Sequence, residues 1–271
     1  MININNHITV GIPFYNKSKS KDLDLAIQSI VDQTLQPRKI HLIQDGEITD
    51  SIKTVINKYL NKFPNMFDLL VLPKKGLPYA LNKSIKLCKT KYYARMDSDD
   101  ISAKNRFEVQ LNYLKKNPSV DILGSWAYEF EKNYKEKKLH INKTPNDNKL
   151  IKEYFHYRNP LVHSSVIFRI KLFKKIGFYN EMMLTDQDLE LWGRALKNNI
   201  IISNIQIPLV YLRTKNRLLR RSQLSAIKRQ VLIRYSYNTS SFKLNVLKLA
   251  SIMLRLLPLK IREWSYKYLR G

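Results

Sequence analysis

Apolar positions along the first two thirds of the chain recur with two alternating periods. Short apolar runs, typical of buried strands, alternate with segments in which apolar residues recur every three or four positions, as on one face of a helix. The spacing of Leu23, Ala26, Ile27, Ile30 and Val31 is an example of the second kind. Such an alternation predicts an α/β domain built on a mostly parallel sheet.

The predicted elements follow one another up to residue 212. Strands are expected at Ile8–Tyr15, Lys39–Gln44, Asp68–Leu72, Tyr92–Met96, Val120–Ser125, Ser164–Phe168 and Ile205–Leu212. Helices are expected around Leu23–Val31 and at Ser51–Lys62, Pro78–Lys89, Lys104–Lys116 and Thr185–Lys197. The lysine-rich stretch Glu131–Lys149 has no periodicity, which predicts a loop or a short hairpin.

The C-terminal segment has a different pattern. Phe242–Leu257 predicts a helix that has a wide apolar face and a narrow polar stripe and that ends before Pro258, and almost all residues outside the stripe are apolar. The stripe consists of Asn245, Lys248, Ser251 and Arg255. Leu259–Arg270 then mixes basic residues with Trp and Tyr, a combination that suits a helix in the headgroup region of a membrane. The alternative is a helix pair packed on the preceding domain. We therefore predict two units, residues 1–215 and a basic helical extension over 216–271.

The chain of 271 residues is strongly basic, with a formal net charge of +26. From Arg213 to Gly271 it carries 15 Lys and Arg residues and one acid, Glu263. This asymmetry indicates a polyanionic partner, either nucleic acid or an anionic membrane surface. Genome base composition explains part of the excess but not its clustering. No zinc, helix-turn-helix or RNA-binding signature is present, so we expect a membrane surface and no nucleic acid.

Cysteine usage and the N-terminal residues predict the compartment. One cysteine excludes a disulfide framework and fits a reducing environment. The first six residues lack the basic and apolar parts of a signal peptide, and no apolar run approaches the roughly 20 residues of a spanning helix. We expect a cytoplasmic protein that is peripheral on the inner face of the membrane.

An acidic cluster interrupts this basic chain. Asp97, Asp99 and Asp100 place three carboxylates within four residues, directly after a predicted strand. Neighbouring carboxylates repel one another, so such a cluster is stable when water solvates it or when a cation neutralises it. Mg²⁺ and Mn²⁺ favour one or two carboxylates together with substrate phosphates. The cluster is either a metal–diphosphate site or a solvated acidic turn.

Further segments, in a fixed order, carry a family resemblance. They are Ile8–Asn16, Ala26–Thr34, Ile40–Gly46, Gly76–Asn82, Ala94–Asp100, Arg106–Gln110, Asn159–Val166 and Thr185–Trp192. This set resembles the family 2 glycosyltransferases, above all the bacterial branch that builds capsules, exopolysaccharides and O-antigens. The resemblance covers roughly residues 7–213. It implies the GT-A fold, a Rossmann-like, mixed and mostly parallel sheet flanked by helices.

The resemblance also implies roles for the residues of the donor site. Asp97 and Asp99 match the Asp-x-Asp motif, with Asp99 as ligand of Mn²⁺ or Mg²⁺ and Asp97 nearer the ribose, reaching the metal through water. Asp45 matches the aspartate that accepts a hydrogen bond from the pyrimidine N3–H, a donor that uracil and thymine possess. Pro13 and Tyr15 match the segment against the base and ribose, although strand-end packing also explains them. Arg95 is placed to approach a phosphate or to form a structural salt bridge.

For the acceptor side, the resemblance assigns Asp188 as general base. Asp186 and Glu190 are weaker candidates. A local interpretation is also open and compatible, in which Thr185 caps a helix and Asp188 is the acidic residue of a capping box.

Two more residues have candidate roles around the diphosphate or the acceptor. His163 matches a family histidine there, whereas a lone histidine is more often a hydrogen-bonded structural residue. Arg213, with Arg217, Arg220 and Arg221, would form a flap over the diphosphate or contact an acceptor phosphate, or would simply be solvated charge.

These assignments predict an inverting, metal-dependent hexosyltransferase. It would move a sugar from a UDP- or dTDP-sugar to an oligosaccharide on undecaprenyl diphosphate, in surface polysaccharide synthesis. One alternative is a sugar-nucleotide pyrophosphorylase, which needs a glycine-rich phosphate loop near the N-terminus; the segment Gly11–Asn16 is not one. The other is a nucleic-acid-binding protein, which charge alone suggests.

Overall fold

The computed structural model describes residues 7–214 and 224–257. Its strands are β1 (Ile8–Phe14), β2 (Lys39–Asp45), β3 (Phe67–Leu72), β4 (Tyr92–Arg95), β5 (Ile101–Ser102), β6 (Ile122–Phe130), β7 (His140–Asn142), β8 (Ile167–Arg169) and β9 (Ile202–Arg213). Its helices are α1 (Ser20–Val31), α2 (Asp50–Lys62), α3 (Leu77–Leu87), α4 (Arg106–Lys116), α5 (Asn148–Phe155), α6 (Leu172–Ile176), α7 (Gln187–Lys197), α8 (Leu224–Ser236) and α9 (Phe242–Met253).

The strands form one mixed sheet in the order β3-β2-β1-β4-β8-β6-β9-β5, with β7 paired to β6. Strands β3, β2, β1 and β4 are parallel, and β8 is antiparallel to both of its neighbours. The carboxyl ends of the four parallel strands therefore meet at one edge, which is where open α/β sheets bind ligands.

Two apolar layers cover the two faces of the sheet. Alternate residues of β1 point to a layer that includes α1, α2 and α4. The opposite face is covered by α3, α5, α6 and α7, with the fully buried Trp192 in this layer. Helices on both faces explain why the parallel strands read as nearly continuous apolar runs.

Several boundaries differ from the sequence-based expectation. The strand expected at Ser164–Phe168 is wrong in its first half, because His163–Ser165 forms a 3₁₀ turn before β8. Strand β6 begins at Ile122 and continues to Phe130, since pairing with β9 extends it. The polar stretch after β6 contains the expected hairpin partner β7.

Helix α5 was not predicted, although its signals are in the sequence. The Asp147 side chain caps it by accepting from the Leu150 N–H at 2.9 Å, and Ile151 and Phe155 are its buried residues. With only eight residues, the helix is too short for a clear period.

Helix α8 packs beside α7, and its Ile233 belongs to the apolar layer formed by α3, α5, α6 and α7. The Arg234 guanidinium donates to the carbonyl of Phe155, and the His156 ring stacks on Tyr237 with centroids 5.5 Å apart. Helix α9 in turn packs on α8, with Lys248 Nζ 4.6 Å from the centre of the Tyr235 ring. The flap candidates Arg217, Arg220 and Arg221, and the segment Leu259–Arg270, lie outside the described residues.

His156 makes the fold sensitive to acid. Burial, and then the charges of Lys248 and Arg234, lower the pKa of His156 to about 4. The unfolded chain, with a pKa near 6.5, then binds a proton that the folded chain does not, so stability falls as pH drops from about 6.5 towards 4. Between pH 7 and pH 5 we expect this residue to remove about 2 kcal/mol from the free energy of unfolding. Urea unfolding of the parent and of His156→Gln at both pH values measures it. Equal losses in the two proteins would contradict the assignment.

Candidate active site

The carboxyl edge of β1, β2 and β4 assembles the predicted donor residues. Register pairs Phe14 with Gln44 and Gly11 with Arg95, so the segments that follow these strands lie side by side. Pro13 and Tyr15 at the end of β1, Asp45 at the end of β2 and Asp97 after β4 therefore share one edge, as the resemblance requires. Tyr15 is exposed there.

Two buried arginines lie beneath the acidic turn. The Arg95 guanidinium donates to the Met96 carbonyl and to Asp97 Oδ1. Burial alone would lower the pKa of Arg95, but the Asp97 carboxylate, together with Tyr179 and Tyr93, raises that pKa above its usual value, so the guanidinium stays charged. Arg106 donates to the Arg95 carbonyl at 3.0 Å. This geometry favours the structural salt bridge for Arg95, with Asp97 held in place from below.

The remaining carboxylates of the turn are destabilised as anions. Desolvation, and then the charge of Asp97, raise the pKa of Asp99 to about 6, although the side chain has an exposed surface. Asp100 is buried, and desolvation raises its pKa well above the usual value. Its Oδ1 accepts from the Arg213 N–H at 2.8 Å, which makes Asp100 a structural part of the turn.

The turn fits a divalent cation that arrives with a diphosphate. Within the described ranges 7–214 and 224–257, no three His, Cys, Asp or Glu side chains converge as a ready-made metal cage. Mg²⁺ and Mn²⁺ do not need one, because they bind through one or two carboxylates and complete their shell with phosphate and water. Of the two carboxylates with a raised pKa, Asp99 is the exposed one, so it is the one that a cation arriving from solvent would reach.

Asp45 is held by the loop before α3. Its Oδ1 accepts from the N–H groups of Lys75, at 2.9 Å, and Gly76, at 3.1 Å. Gly76 has φ 90°, a left-handed conformation that favours glycine. The loop orients the carboxylate, and a carboxylate oxygen that accepts backbone hydrogen bonds retains capacity for a further donor.

Asp188 lies in the first turn of α7, at the positive end of the helix dipole. Asn159 Nδ2 donates to Asp188 Oδ2 at 2.7 Å. The capping interpretation is wrong in its details: Asp186, at φ 59°, precedes the helix where Thr185 was expected, and no side chain caps the helix. Asp186 instead accepts from Gln230 of α8 at 2.8 Å, and Glu190 pairs with Arg194 at 2.8 Å. Asp186 also pairs with Arg229 at 3.5 Å. Among the described residues, Asp188 is therefore the one of the three acids that accepts from a neutral amide and pairs with no arginine.

His163 begins a turn that contacts both β4 and α7. The Val166 carbonyl at the end of this turn accepts from the Arg95 N–H at 2.9 Å, and the His163 ring centroid lies 6.1 Å from that of Trp192. The His163 Nε2 is 2.8 Å from the Tyr179 hydroxyl. Burial, and then the charge of Arg95, lower the pKa of His163 to about 4, whereas Asp188 and Asp97 act in the opposite direction. The imidazole is therefore neutral near pH 7, and both carboxylates are close enough to influence it. His163 thus connects the acidic turn to the start of α7.

Arg213 is already engaged in protein contacts. Its guanidinium donates to Asp22 Oδ1 at 2.8 Å and to the Asp99 carbonyl at 3.1 Å, and it lies 4.5 Å from the centre of the Phe130 ring. It therefore fixes the backbone of the acidic turn from the end of β9.

Comparison with known proteins decides the family. The profile described as "Glycosyl transferase family 2" matches residues 9–177, more than half of the chain. The chain belongs to glycosyltransferase family 2.

Two relatives of this family 2 glycosyltransferase match nearly its whole length. The UDP-Gal:alpha-D-GlcNAc-diphosphoundecaprenol beta-1,3-galactosyltransferase of Escherichia coli is 33% identical over 265 residues, covering 96% of the chain and 94% of the relative. The amylovoran biosynthesis glycosyltransferase AmsE of Erwinia amylovora is 29% identical, covering 96% and 97%. The family expected from the sequence is confirmed.

Solved structures confirm the GT-A fold of this family 2 glycosyltransferase. TarS residues 1–349 of S. aureus, in complex with UDP-GlcNAc, superpose with a TM-score of 0.65 at 17% identity, covering 97% of this chain and 73% of that TarS segment. A mannosyltransferase of Pyrobaculum calidifontis, in complex with GDP-Man and Mn²⁺, gives 0.63 at 13% identity, covering 97% and 80%.

Four residues that contact the predicted site residues were not predicted from the sequence to belong to the site. Asn159, Tyr179 and Asp22 contact Asp188, His163 and Arg213 respectively, and Arg106 supports Arg95. The contacts of Asn159, Tyr179 and Asp22 each join segments that are far apart in the chain or lie in different elements. Asn159 and Arg106 were within the family segments, but only the fold shows their partners.

Proposed function

We propose that this glycosyltransferase transfers a hexose from a UDP-sugar, with inversion, to a lipid-linked saccharide acceptor. The observation that supports it best is the position of His163. Its ring centroid lies 6.1 Å from that of Trp192 on α7, and the turn it begins is bonded to β4 through the Arg95 N–H and the Val166 carbonyl at 2.9 Å. This arrangement supports one site bordered by the donor-side carboxylates and the candidate base, as single displacement requires.

In this proposal Asp188 accepts the proton of the acceptor hydroxyl. The acceptor oxygen then forms a bond to the anomeric carbon as the bond from that carbon to the diphosphate oxygen breaks, and nucleoside diphosphate leaves. One displacement inverts the anomeric configuration. Asn159 holds the Asp188 carboxylate in position at 2.7 Å, and a positioned carboxylate is an effective general base.

On the donor side, Asp99 and Asp97 would hold Mn²⁺ or Mg²⁺, which supplies charge stabilisation for the leaving diphosphate. Arg95 holds Asp97 in place, and Arg213 holds the Asp99 backbone. Asp45, oriented by Lys75 and Gly76, would accept from the uracil N3–H, and Pro13 and Tyr15 would flank the nucleoside.

The relatives support the proposed acceptor. The E. coli relative acts on a saccharide linked to diphosphoundecaprenol, as its name states, and AmsE belongs to amylovoran biosynthesis. Coverage above nine tenths of both chains supports a lipid-linked acceptor in polysaccharide synthesis, on the cytoplasmic side where nucleotide sugars are made.

Donor hydrolysis tests the proposal directly. Purified protein is incubated with Mn²⁺ and a panel of UDP-, dTDP- and GDP-sugars without acceptor, and the released nucleoside diphosphate is measured. We expect slow release from one UDP-sugar, abolished by EDTA. If calorimetry shows that neither UDP nor UDP-sugars bind with Mn²⁺, the proposed donor is wrong.

Asp45 predicts a separate effect on nucleotide affinity. Asp45→Ala removes the acceptor for N3–H and also frees the Lys75 and Gly76 amides, so we expect the Kd for UDP to rise at least tenfold, about 1.4 kcal/mol. Calorimetry measures it, with Asp50→Ala as control, since Asp50 pairs with Lys53 on the exposed start of α2. An unchanged Kd for UDP would remove Asp45 from the base site.

A further inference from the structure

Helix α9 turns part of its polar stripe towards the protein. Lys248 is completely buried, although the predicted polar stripe would normally face water, and Ile252 is buried beside it. Ser251 and Arg255, also of the stripe, are half-buried. Asn245 is the member of the stripe that remains exposed.

The apolar side chains of α9 point the other way. Phe242, Val246, Leu249, Met253 and Leu256 are 83%, 48%, 55%, 52% and 51% exposed. Their spacing of four and three residues places them along one side of the helix and of the turn that follows it. We call these five residues the outer stripe. A helix on a water-soluble surface has the opposite polarity, and a continuous exposed apolar stripe marks an interaction surface.

The neighbouring helix α8 also carries exposed apolar side chains. On α8, Val231, Leu232 and Tyr235 are 37%, 66% and 46% exposed. Exposed Lys228 and Lys243 belong to the same two helices. Apolar side chains combined with lysines are the composition of a helix that lies in the boundary between headgroups and acyl chains.

Charge distinguishes between possible occupants of this surface. A second copy of the chain would bring together two segments that each carry 15 basic residues and one acid from Arg213 onwards. Like charges of this number oppose self-association, whereas anionic lipid headgroups attract basic segments by about 1 kcal/mol per residue near the surface. None of the described helices is both long and apolar enough to cross a bilayer, so the contact would lie along the surface.

We propose that the outer stripe of α9 docks on an anionic lipid bilayer, with its apolar side chains among the upper acyl chains and the lysines at the headgroups. This docking needs neither donor nor acceptor, so it is independent of the proposed function. It gives the basic C-terminal segment a defined contact surface.

Vesicle flotation tests the proposal. The full chain is mixed with vesicles of phosphatidylcholine containing 30% phosphatidylglycerol, or of phosphatidylcholine alone, and the floated fraction is measured. We expect binding to the anionic vesicles. Leu249→Ser should weaken it roughly tenfold, since a leucine inserted among acyl chains is lost. The matched control is Leu87→Ser at the end of α3, where the leucine is 53% exposed, and it should bind as the parent does.

Three results would overturn the proposal. No flotation with anionic vesicles would exclude the bilayer. Equal binding of Leu249→Ser and Leu87→Ser would mean that charge alone attracts the protein and that the stripe does not insert. A concentration-dependent dimer in light scattering, abolished by Leu249→Ser in the absence of lipid, would assign the stripe to a second copy of the chain. Circular dichroism and melting of each variant verify that it is folded.

Discussion

Replacing Asp99 by asparagine is expected to lower kcat about a thousandfold while leaving the fold intact. The Asp99 side chain is exposed. The contacts that tie the turn to β9 come from the Arg213 guanidinium to the Asp99 backbone and from the Asp100 carboxylate. The loss would come from the missing negative charge, since electrostatic stabilisation of a leaving group commonly contributes two to three orders of magnitude.

The measurement is product formation at saturating UDP-sugar and Mn²⁺. Calorimetric titration of Mn²⁺ in the presence of UDP should show weakened metal affinity in the same variant. Asp68→Asn is the control, because Asp68 is a partly exposed carboxylate on β3 that pairs with Lys39. If Asp99→Asn retained metal affinity and turnover, the cation would have to be placed elsewhere.

Asp188→Asn is expected to lower kcat by a factor of 10² to 10⁴, roughly the contribution of a general base. UDP affinity should stay unchanged, because in the proposed mechanism Asp188 acts on the acceptor. Asparagine retains the shape and one oxygen that can accept from Asn159, so the variant should melt like the parent.

Two controls separate proton transfer from structure. Glu190→Gln alters an acid on the same helix that pairs with Arg194 and should leave kcat within about threefold. Asn159→Ala should lower kcat less than Asp188→Asn, and its pH–rate profile should shift because the carboxylate loses its donor. Full turnover in Asp188→Asn would require another base, with Asp186 and Glu190 the nearest carboxylates along the chain.

The parts of the fold that periodicity revealed are those with long, uniform burial. Strands β1 and β2 have seven residues each, helices α1 and α2 have 12 and 13, and their positions were predicted closely. Strand β5 has two residues and α5 has eight, so neither contains enough repeats to establish a period. The 3₁₀ turn at His163–Ser165 was mistaken for the start of a strand. The apolar residues on both sides of it are buried, and burial alone does not distinguish a turn from a strand.

For the site, local motifs could be found and long-range partners could not. Asp97 and Asp99 stand out because three carboxylates cluster in a basic chain. The donor of the hydrogen bond to Asp188 lies 29 residues away, and the partner of Arg213 lies 191 residues away. Only the packing of α1 against the end of β9, and of the segment after α5 against α7, brings these groups together. Arg95 is an example of what the sequence alone does not determine. Its guanidinium could point to solvent or to the carboxylate two residues later, and only the structure distinguishes the two.

The contact between α8 and the turn before α7 links the position of Asp188 to that of the C-terminal helices. Gln230 donates to Asp186 at 2.8 Å, and Arg229 pairs with the same carboxylate at 3.5 Å. Asp186 lies two residues before the proposed base, and α9 packs directly on α8. A protein that rests on lipid through α9 would therefore hold Asp188 at a set height above the headgroups. This fixed distance would favour acceptors whose terminal hydroxyl lies at the same height above the membrane, and it would disfavour longer glycans.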